Sequence, residues 1–415
     1  MSEIKRKVLI IGSGIAGPAV ALFLKRAGIE SEIFEARQTA EGYALSLSAN
    51  GLAVLKLLSL DGRAFAEGSP VSEWHMWNGK GKHLGGGSFA LGGTKSVFIK
   101  RVPLGMILSA EAERQGIPIH RGKKLQGVDT TGTGSVVASF QDGSAASGDL
   151  LIGADGVHSK VRQFVDPSAR PVYTGLINTG GYSQGVSLPQ TPETAHFIFG
   201  KRAFFGYHSD PTGYIYWFVN YPRADKPARE VLMGNSDEER RRFLLATFQD
   251  DQPFIGDIIR AAETAFPGFL TYTLPTQPIS WHKGPVVLLG DAVHAISPSS
   301  GQGASMALED AVVLAKSLRD IPDREQAFGV YEQLRRERTI KMFDLGERSD
   351  SGKYVTSPLQ QWFRDVTTPV ILKLFANPSA SDWIYSYRVD WDSPISTNLP
   401  SPLAPLPTAS LREGR

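Results

Sequence analysis

The chain has 415 residues, too many for one compact core, so two domains are expected. Its formal net charge of +2 gives no electrostatic case for nucleic acid, and no long basic run argues for a membrane surface. Cysteine is absent, which excludes disulfides, thiolate metal sites and a redox-active dithiol, so any redox chemistry must come from a bound cofactor.

Lys5, Arg6 and Lys7 ahead of the uncharged run Val8 to Leu24 resemble the start of a signal peptide or membrane anchor. Gly12, Gly14, Gly17 and Pro18 dilute that run, no small-residue cleavage site follows, and about 20 strongly apolar residues are needed to span a bilayer. The cytosol is the expected compartment. The same stretch reads as a complete unit of strand, glycine turn, helix and strand. Val8 to Ile11 suits a strand buried on both faces, and Gly12, Gly14 and Gly17 then spell G-x-G-x-x-G. The first glycine permits the tight turn, the second lets a pyrophosphate touch the backbone, and the third lets helix pack on strand. A helix over Ala19 to Lys25 ends at Gly28, and Glu35 closes the strand Glu32 to Phe34, at the spacing from which an acid reaches a ribose hydroxyl pair.

Gly51 to Leu58 suits a short helix, and the glycine-rich Gly79 to Gly93 reads as a hairpin or flexible loop, since it lacks the ending of a phosphate loop. Arg101 precedes an amphipathic helix over Leu104 to Gln115; strands follow at Ile117 to His120, Val136 to Phe140 and Asp149 to Ile152. Directly after the last comes Gly153-Ala154-Asp155-Gly156, which puts an aspartate where open α/β sheets bind ligands. Taken alone, Asp-Gly there is a turn and Ser159 a helix cap. From Tyr173 to Tyr272 the texture changes to aromatic strands, Ala195 to Phe199, Ala203 to Tyr207 and Tyr214 to Val219, interrupted by helices over Ser236 to Phe248 and Ile255 to Thr264. The buried strand Val286 to Leu289 then leads into Gly290-Asp291, the loop Pro298 to Gly303, and a helix over Ala304 to Leu318 whose glycine-flanked amino terminus favours an anion. Helices continue to about Leu374, and the proline-rich last twenty-odd residues read as a mobile tail.

These three glycine and aspartate motifs, in this order, resemble the single-component FAD-dependent aromatic hydroxylases related to p-hydroxybenzoate and salicylate hydroxylase, over roughly residues 7 to 375. The resemblance implies an α/β fold: a discontinuous Rossmann-like FAD-binding domain (1–172 and 273–375, with carboxy-terminal helices), a mainly antiparallel β substrate domain (173–272), and an extension (376–415). It implies non-covalent FAD, with Gly12, Gly14 and Gly17 at the pyrophosphate and Glu35 at the adenosine ribose, helped by Arg37. Arg101 matches an FAD-contacting arginine, Leu125 falls where a backbone group meets the adenine, and Asp155 belongs to a motif linked to FAD and nicotinamide cofactor. Asp291 would take the ribityl or phosphate end, and Pro298, Gly301 and Gly303 the pyrimidine edge of the flavin. Ser305 stands where the family often has Asn, which puts a flavin contact there in doubt; His294 reads as structural.

The chemistry so implied is reduction of FAD by NADH or NADPH, reaction with O2 to a C4a-hydroperoxyflavin, and oxygen transfer to an aromatic or polycyclic small molecule. Strand parity places Tyr214, Tyr216 and Phe218 on one face, assigned to the substrate, with Tyr207 joining from the neighbouring strand and Ile215, Trp217 and Val219 turned away. His208, a loop histidine beside Asp210, is a further candidate for a phenol-activating base, with plain solvation as its simpler reading. Competing readings are a flavin-dependent reductase or dehydrogenase of a lipid-like or polyketide substrate, a tetracycline-modifying monooxygenase, and a non-enzymatic flavoprotein. A halogenase is disfavoured because Trp74-His75-Met76-Trp77 does not match its Trp-x-Trp-x-Ile-Pro motif. Substrate identity, NADH against NADPH, and oligomeric state stay open.

Overall fold

The computed structural model describes residues 7–39, 42–90, 92–130, 134–275, 279–353, 357–374 and 382–395. The proline-rich end read as a mobile tail lies outside the described residues.

Val8, Leu9 and Ile10 are wholly buried, as a strand flanked on both faces requires. Their strand, Lys7–Ile11, is central in a six-stranded sheet ordered His282–Lys283, Val286–Leu288, Leu150–Gly153, Lys7–Ile11, Glu30–Glu35, Ile119–Arg121. Every pairing is parallel except the edge strand His282–Lys283. The chain leaves the central strand toward Glu30–Glu35 and comes back on its other side at Leu150–Gly153. The topological switch point therefore falls between the carboxyl ends of Lys7–Ile11 and Leu150–Gly153, where such sheets bind ligands. Helix Ala16–Arg26, after the glycines, packs on helix Gly303–Asp320, which is buried along most of its length. The segment 382–395 folds back onto that helix, with Trp391 buried against Phe23.

The second sheet has eight strands. Its path runs Ala262–Ala265, Val172–Ser183, Ile215–Pro222, Phe204–Ser209, Thr194–Phe199, Glu73–Asn78, His83–Ser88, with Phe269–Thr273 also on Val172–Ser183. All pairings are antiparallel but one: Thr194–Phe199 runs parallel to Glu73–Asn78. The glycine-rich segment is therefore a hairpin that joins this sheet. Gly86 and Gly87 are needed there, because a Cβ on either would come within 2.7 Å of the His75 or Trp74 side chain opposite.

One face of this sheet packs Phe205, Ile215, Trp217 and Val219 against Leu244 and Phe248 and against Ile255, Ile258 and Ile259. Each side chain so buried contributes about 1.5–3 kcal/mol. Helix Asp237–Thr247 opens on a full capping box, with the Ser236 hydroxyl accepting from the Glu239 N–H while the Glu239 carboxylate accepts from the Ser236 N–H. The helix expected over Ile255 to Thr264 is shorter, Pro253–Arg260, because Ala262–Ala265 pairs instead with Val172–Ser183.

Candidate functional site

The three glycines answer to different neighbours. Gly12 has φ +106° and a Cβ there would stand 2.4 Å from the Ala154 carbonyl oxygen, so the glycine loop and the Asp155 loop touch at the switch point. A Cβ on Gly17 would stand 1.9 Å from the Gly12 oxygen, which is how closely helix lies on strand. Gly14 faces open space; the nearest atom to a Cβ there is an Arg101 guanidinium nitrogen at 3.9 Å. Helix Ala16–Arg26 has no side-chain cap and no acid in its first turn, which leaves its amino-terminal N–H groups and their positive potential to a ligand.

Glu35 stands at the edge of that loop. Its Oε2 accepts from the Ser13 N–H at 2.7 Å and its Oε1 from the Arg37 N–H at 2.8 Å, so the acid holds the loop in shape while lone pairs remain for a hydroxyl pair. The Arg37 side chain is exposed. Arg101 begins helix Arg101–Arg114 and donates its N–H to the Tyr43 oxygen at 2.7 Å, and Gly42 folds over its side chain, where a Cβ would come within 2.6 Å of Cδ. Leu125 is buried opposite Phe140, which leaves its backbone as the part a ligand can reach.

Asp155 caps the helix Lys160–Val165: its Oδ2 accepts from the Lys160 and Val161 N–H groups at 2.7 and 3.2 Å. Ser159 caps too, through the Arg162 N–H. Capping does not exhaust the aspartate, whose Oδ1 is buried with no hydrogen-bond partner among the described residues and whose carboxyl pKa is raised by burial. Arg162, also buried, ties this motif to the next by donating to the Ala292 oxygen at 2.9 Å.

Asp291 follows Gly290, which adopts φ +61°, and its exposed carboxylate makes no hydrogen bond among the described residues. His294 is buried against Asp310, which also accepts from the Gly290 N–H at 2.9 Å and from Arg335 Nε at 2.7 Å. Burial opposes the imidazolium, but the Asp310 carboxylate beside it raises the His294 pKa, and the histidine is taken up in this buried pair. Pro298–Ser300 forms one 3-10 turn, Gly301 takes φ +63°, and helix Gly303–Asp320 starts without a side-chain cap or an acid in its first turn. A Cβ on Gly301 or Gly303 would meet nothing within 4 Å. Ser305 points the other way, wholly buried, with its hydroxyl accepting from the Ser48 N–H at 3.3 Å.

Beside this site the other face of the second sheet forms one wall of a shallow cleft, open on one side and lined by Tyr43, Ala44, Phe98, Gly181, Tyr182, Tyr216, Trp217, Phe218 and Phe266. Tyr216 and Phe218 contribute from the expected face, while the Trp217 indole stacks on Phe205 on the other. Tyr214 stacks on Tyr182 at 5.7 Å, and its hydroxyl accepts from Lys100 Nζ at 3.2 Å. Burial pushes the Tyr216 hydroxyl up to about 12.

Two expectations need correction. Tyr207 pairs with Trp217, so it shares the helix-covered face, where its ring meets His196 at 4.7 Å and Phe254 at 5.7 Å, and it does not reach the cleft. His208 is no loop residue: it lies in strand Phe204–Ser209 opposite Tyr216, wholly buried. Its Nδ1–H donates to the Thr194 oxygen at 3.0 Å and its Nε2 accepts from the Ser69 hydroxyl at 2.7 Å, and burial lowers its pKa, so it is a neutral, fully engaged imidazole. The sequence reading missed Tyr43, Phe98, Tyr182 and Phe266. Only Tyr182 carried a signal, as an aromatic in the strand that pairs with Tyr216.

A family model described as "FAD binding domain" matches residues 5–344. A FAD-dependent urate hydroxylase from Mycolicibacterium vanbaalenii is 30% identical, over 81% of this chain and 86% of its own length. The 2-heptyl-3-hydroxy-4(1H)-quinolone synthase of Pseudomonas aeruginosa is also 30% identical, over 80% and 85%. Among solved structures, Klebsiella pneumoniae HpxO complexed with FAD and uric acid has the same fold, with a TM-score of 0.79 at 24% identity, covering 92% of this chain and 97% of that one.

Proposed function

The chain belongs to the FAD-binding-domain family of FAD-dependent monooxygenases, and from that premise we propose that it hydroxylates a planar aromatic molecule in the cleft of Tyr216 and Phe218, using NADH or NADPH and O2. Three features support FAD at the residues named: the open position at Gly14, two uncapped helix amino termini behind Gly14 and Gly301, and the orphaned buried Oδ1 of Asp155. In this reading Gly12, Gly14 and Gly17 with Arg101 hold the pyrophosphate, and Glu35 with Arg37 the adenosine ribose. The Leu125 backbone meets the adenine, Asp155 and Asp291 bind along the chain between, and Pro298, Gly301 and Gly303 edge the isoalloxazine.

The observation that carries the substrate reading is the junction at Tyr43 and Arg101. Strands Ala44–Leu47 and Ser96–Lys100 pair antiparallel, so the residue over the glycine loop, Arg101, is hydrogen-bonded to the residue that walls the cleft, Tyr43. A molecule in the cleft thus sits next to the cofactor. FAD, when bound, supplies acceptance of hydride from NAD(P)H and activation of O2. The protein's part is to orient and to dry. Aromatic walls exclude water and fix the plane of the substrate. The Tyr216 hydroxyl, held protonated at neutral pH, is a donor for a substrate oxygen. The amino terminus of helix Gly303–Asp320 would offset negative charge on the reduced ring. A cytosolic site of action belongs to this reading, because NAD(P)H is supplied there. The test is a panel of phenolic and polycyclic aromatics assayed for stimulated NAD(P)H oxidation under ¹⁸O2. One ¹⁸O atom per product is expected; stimulated oxidation with an unlabelled, reduced product would favour the reductase or dehydrogenase reading.

A further inference from the structure

Helix Arg324–Ser351 ends beside the loop that precedes helix Gly303–Asp320, and just past its end Lys353 turns inward. Its ammonium donates to the Asn220 side-chain oxygen and, at 2.6 Å, to the Ser299 hydroxyl, and it stands 4.3 Å over the Phe204 ring. Ser299 in turn donates its hydroxyl proton to Asp350, which is buried and whose second oxygen has no hydrogen-bond partner among the described residues. Asn220 lies two residues beyond Phe218 on the cleft-facing side of its strand. One inward-turned, part-buried lysine therefore bridges the wall of the cleft and the loop Ser297–Gly301.

We propose that Lys353 is a positioning residue for FAD, holding the Pro298–Gly301 loop at its working distance from the aromatic sheet, and that the hold depends on its positive charge. The inference rests on the reading that this loop edges the isoalloxazine. Three arguments carry it. First, two neutral acceptors on different elements are joined by one donor, so losing the charge weakens both contacts at once. Second, the hydrogen bonds of Ser300 and Gly301 run within the loop, to the Ser297 and Pro298 oxygens, so they shape it without tying it to the sheet, and Ser299 is otherwise held by the Ser297 hydroxyl and Asp350. Third, an ammonium turned inward from a part-buried lysine is costly to the fold, so its presence is better explained by a site it serves than by stability. Among the described residues Asp350, on its own helix, is the charged group facing Lys353; the loop offers Ser299 and the sheet Asn220 and Phe204, none of which titrates. Burial outweighs Asp350 and lowers the lysine pKa to about 8.

The test follows free FAD fluorescence on dilution of holoenzyme, which yields a Kd without turnover. Wild type should lose affinity about tenfold between about pH 7 and about pH 9.5, as the ammonium gives up its proton. Lys353→Arg should hold FAD evenly across that range, and Lys353→Met should bind about tenfold more weakly than wild type at neutral pH, with no pH slope. Lys353→Met leaves the Asp350 carboxylate and the Asn220 oxygen without their cation and should lower the melting temperature of the apoprotein, so the pH dependence of wild type and of Lys353→Arg decides the matter. A wild-type Kd that is flat in pH, or a Lys353→Arg slope equal to that of wild type, overturns the proposal even if Lys353→Met does not fold. Wild-type protein that binds no FAD at all would instead remove the functional reading beneath it.

Discussion

Gly14 and Gly17 stand three residues apart in one motif, yet replacing them should have opposite consequences. A Cβ on Gly17 begins 1.9 Å from the Gly12 carbonyl oxygen, so helix Ala16–Arg26 must lift from the central strand. The separation needed is about 1 Å in a close-packed core, at a cost of about 3 kcal/mol or more. Gly14 has ordinary space, its nearest atom 3.9 Å from a Cβ, and no left-handed φ that a side chain would strain. Gly14→Leu should therefore change the stability of the apoprotein by less than about 1 kcal/mol. The same side chain fills the space in which the pyrophosphate would meet the uncapped N–H groups of the helix. Losing two charge-assisted hydrogen bonds there, at about 1.5–3 kcal/mol each, weakens FAD by a factor of roughly 100 or more. Thermal melting of apoprotein and FAD release on dilution separate the two effects. A folded Gly14→Leu protein that stays yellow with a wild-type Kd would refute the pyrophosphate cradle, and a Gly17→Ala protein as stable as wild type would refute the packing argument.

Phe218→Ala should raise the substrate KM about tenfold, the scale of one aromatic contact, and uncouple NAD(P)H oxidation from oxygen transfer while FAD stays bound; Tyr207→Phe should leave both unchanged, and the reverse pattern would invert the assigned face. Asp310→Asn breaks a buried cluster of His294, Arg335 and the Gly290 N–H and should cost about 3–5 kcal/mol, seen as a melting temperature lower by roughly 10 °C. Burial raises the Asp310 pKa, but His294 and Arg335 outweigh it and bring the carboxyl from 3.8 to about 2. The stability it lends is thus intact above its ordinary pKa and drains as pH falls toward about 2, an acid limb that the melting curves of Asp310→Asn should lack.

The cofactor half of the molecule was legible because its signals are local. Each motif directly follows a short apolar strand, and the parallel sheet brings the ends of those strands together whatever happens in between. The cleft was legible only in part. Alternation along Tyr214 to Asn220 separated Tyr216 and Phe218 from Trp217 without any partner strand. Placing Tyr207 required the register to the neighbouring strand, and pairing Tyr207 with Trp217 rather than with Tyr216 reverses its face. The same register brings His208 opposite Tyr216 and buries it. Tyr43 and Phe98 reach the cleft through tertiary approach of segments that carry no periodic mark. The glycines at 85–87 resemble a loop because nothing in the sequence shows that His75 and Trp74 stand opposite them.

The parallel pairing of Thr194–Phe199 with Glu73–Asn78 bears on how this family can exchange parts. The aromatic sheet is assembled from two stretches of chain, and the hairpin that completes it is spelled out long before the rest. A chimera that grafts residues 173–272 from a relative would join a foreign sheet to a native edge, with six cross-strand neighbours, from Thr194 opposite Glu73 to Phe199 opposite Asn78, left unmatched. The unit of recombination is the pair of stretches. Transfer of substrate range between relatives should succeed only when the early hairpin, and the strand Ser96–Lys100 that follows it, travel with the later one.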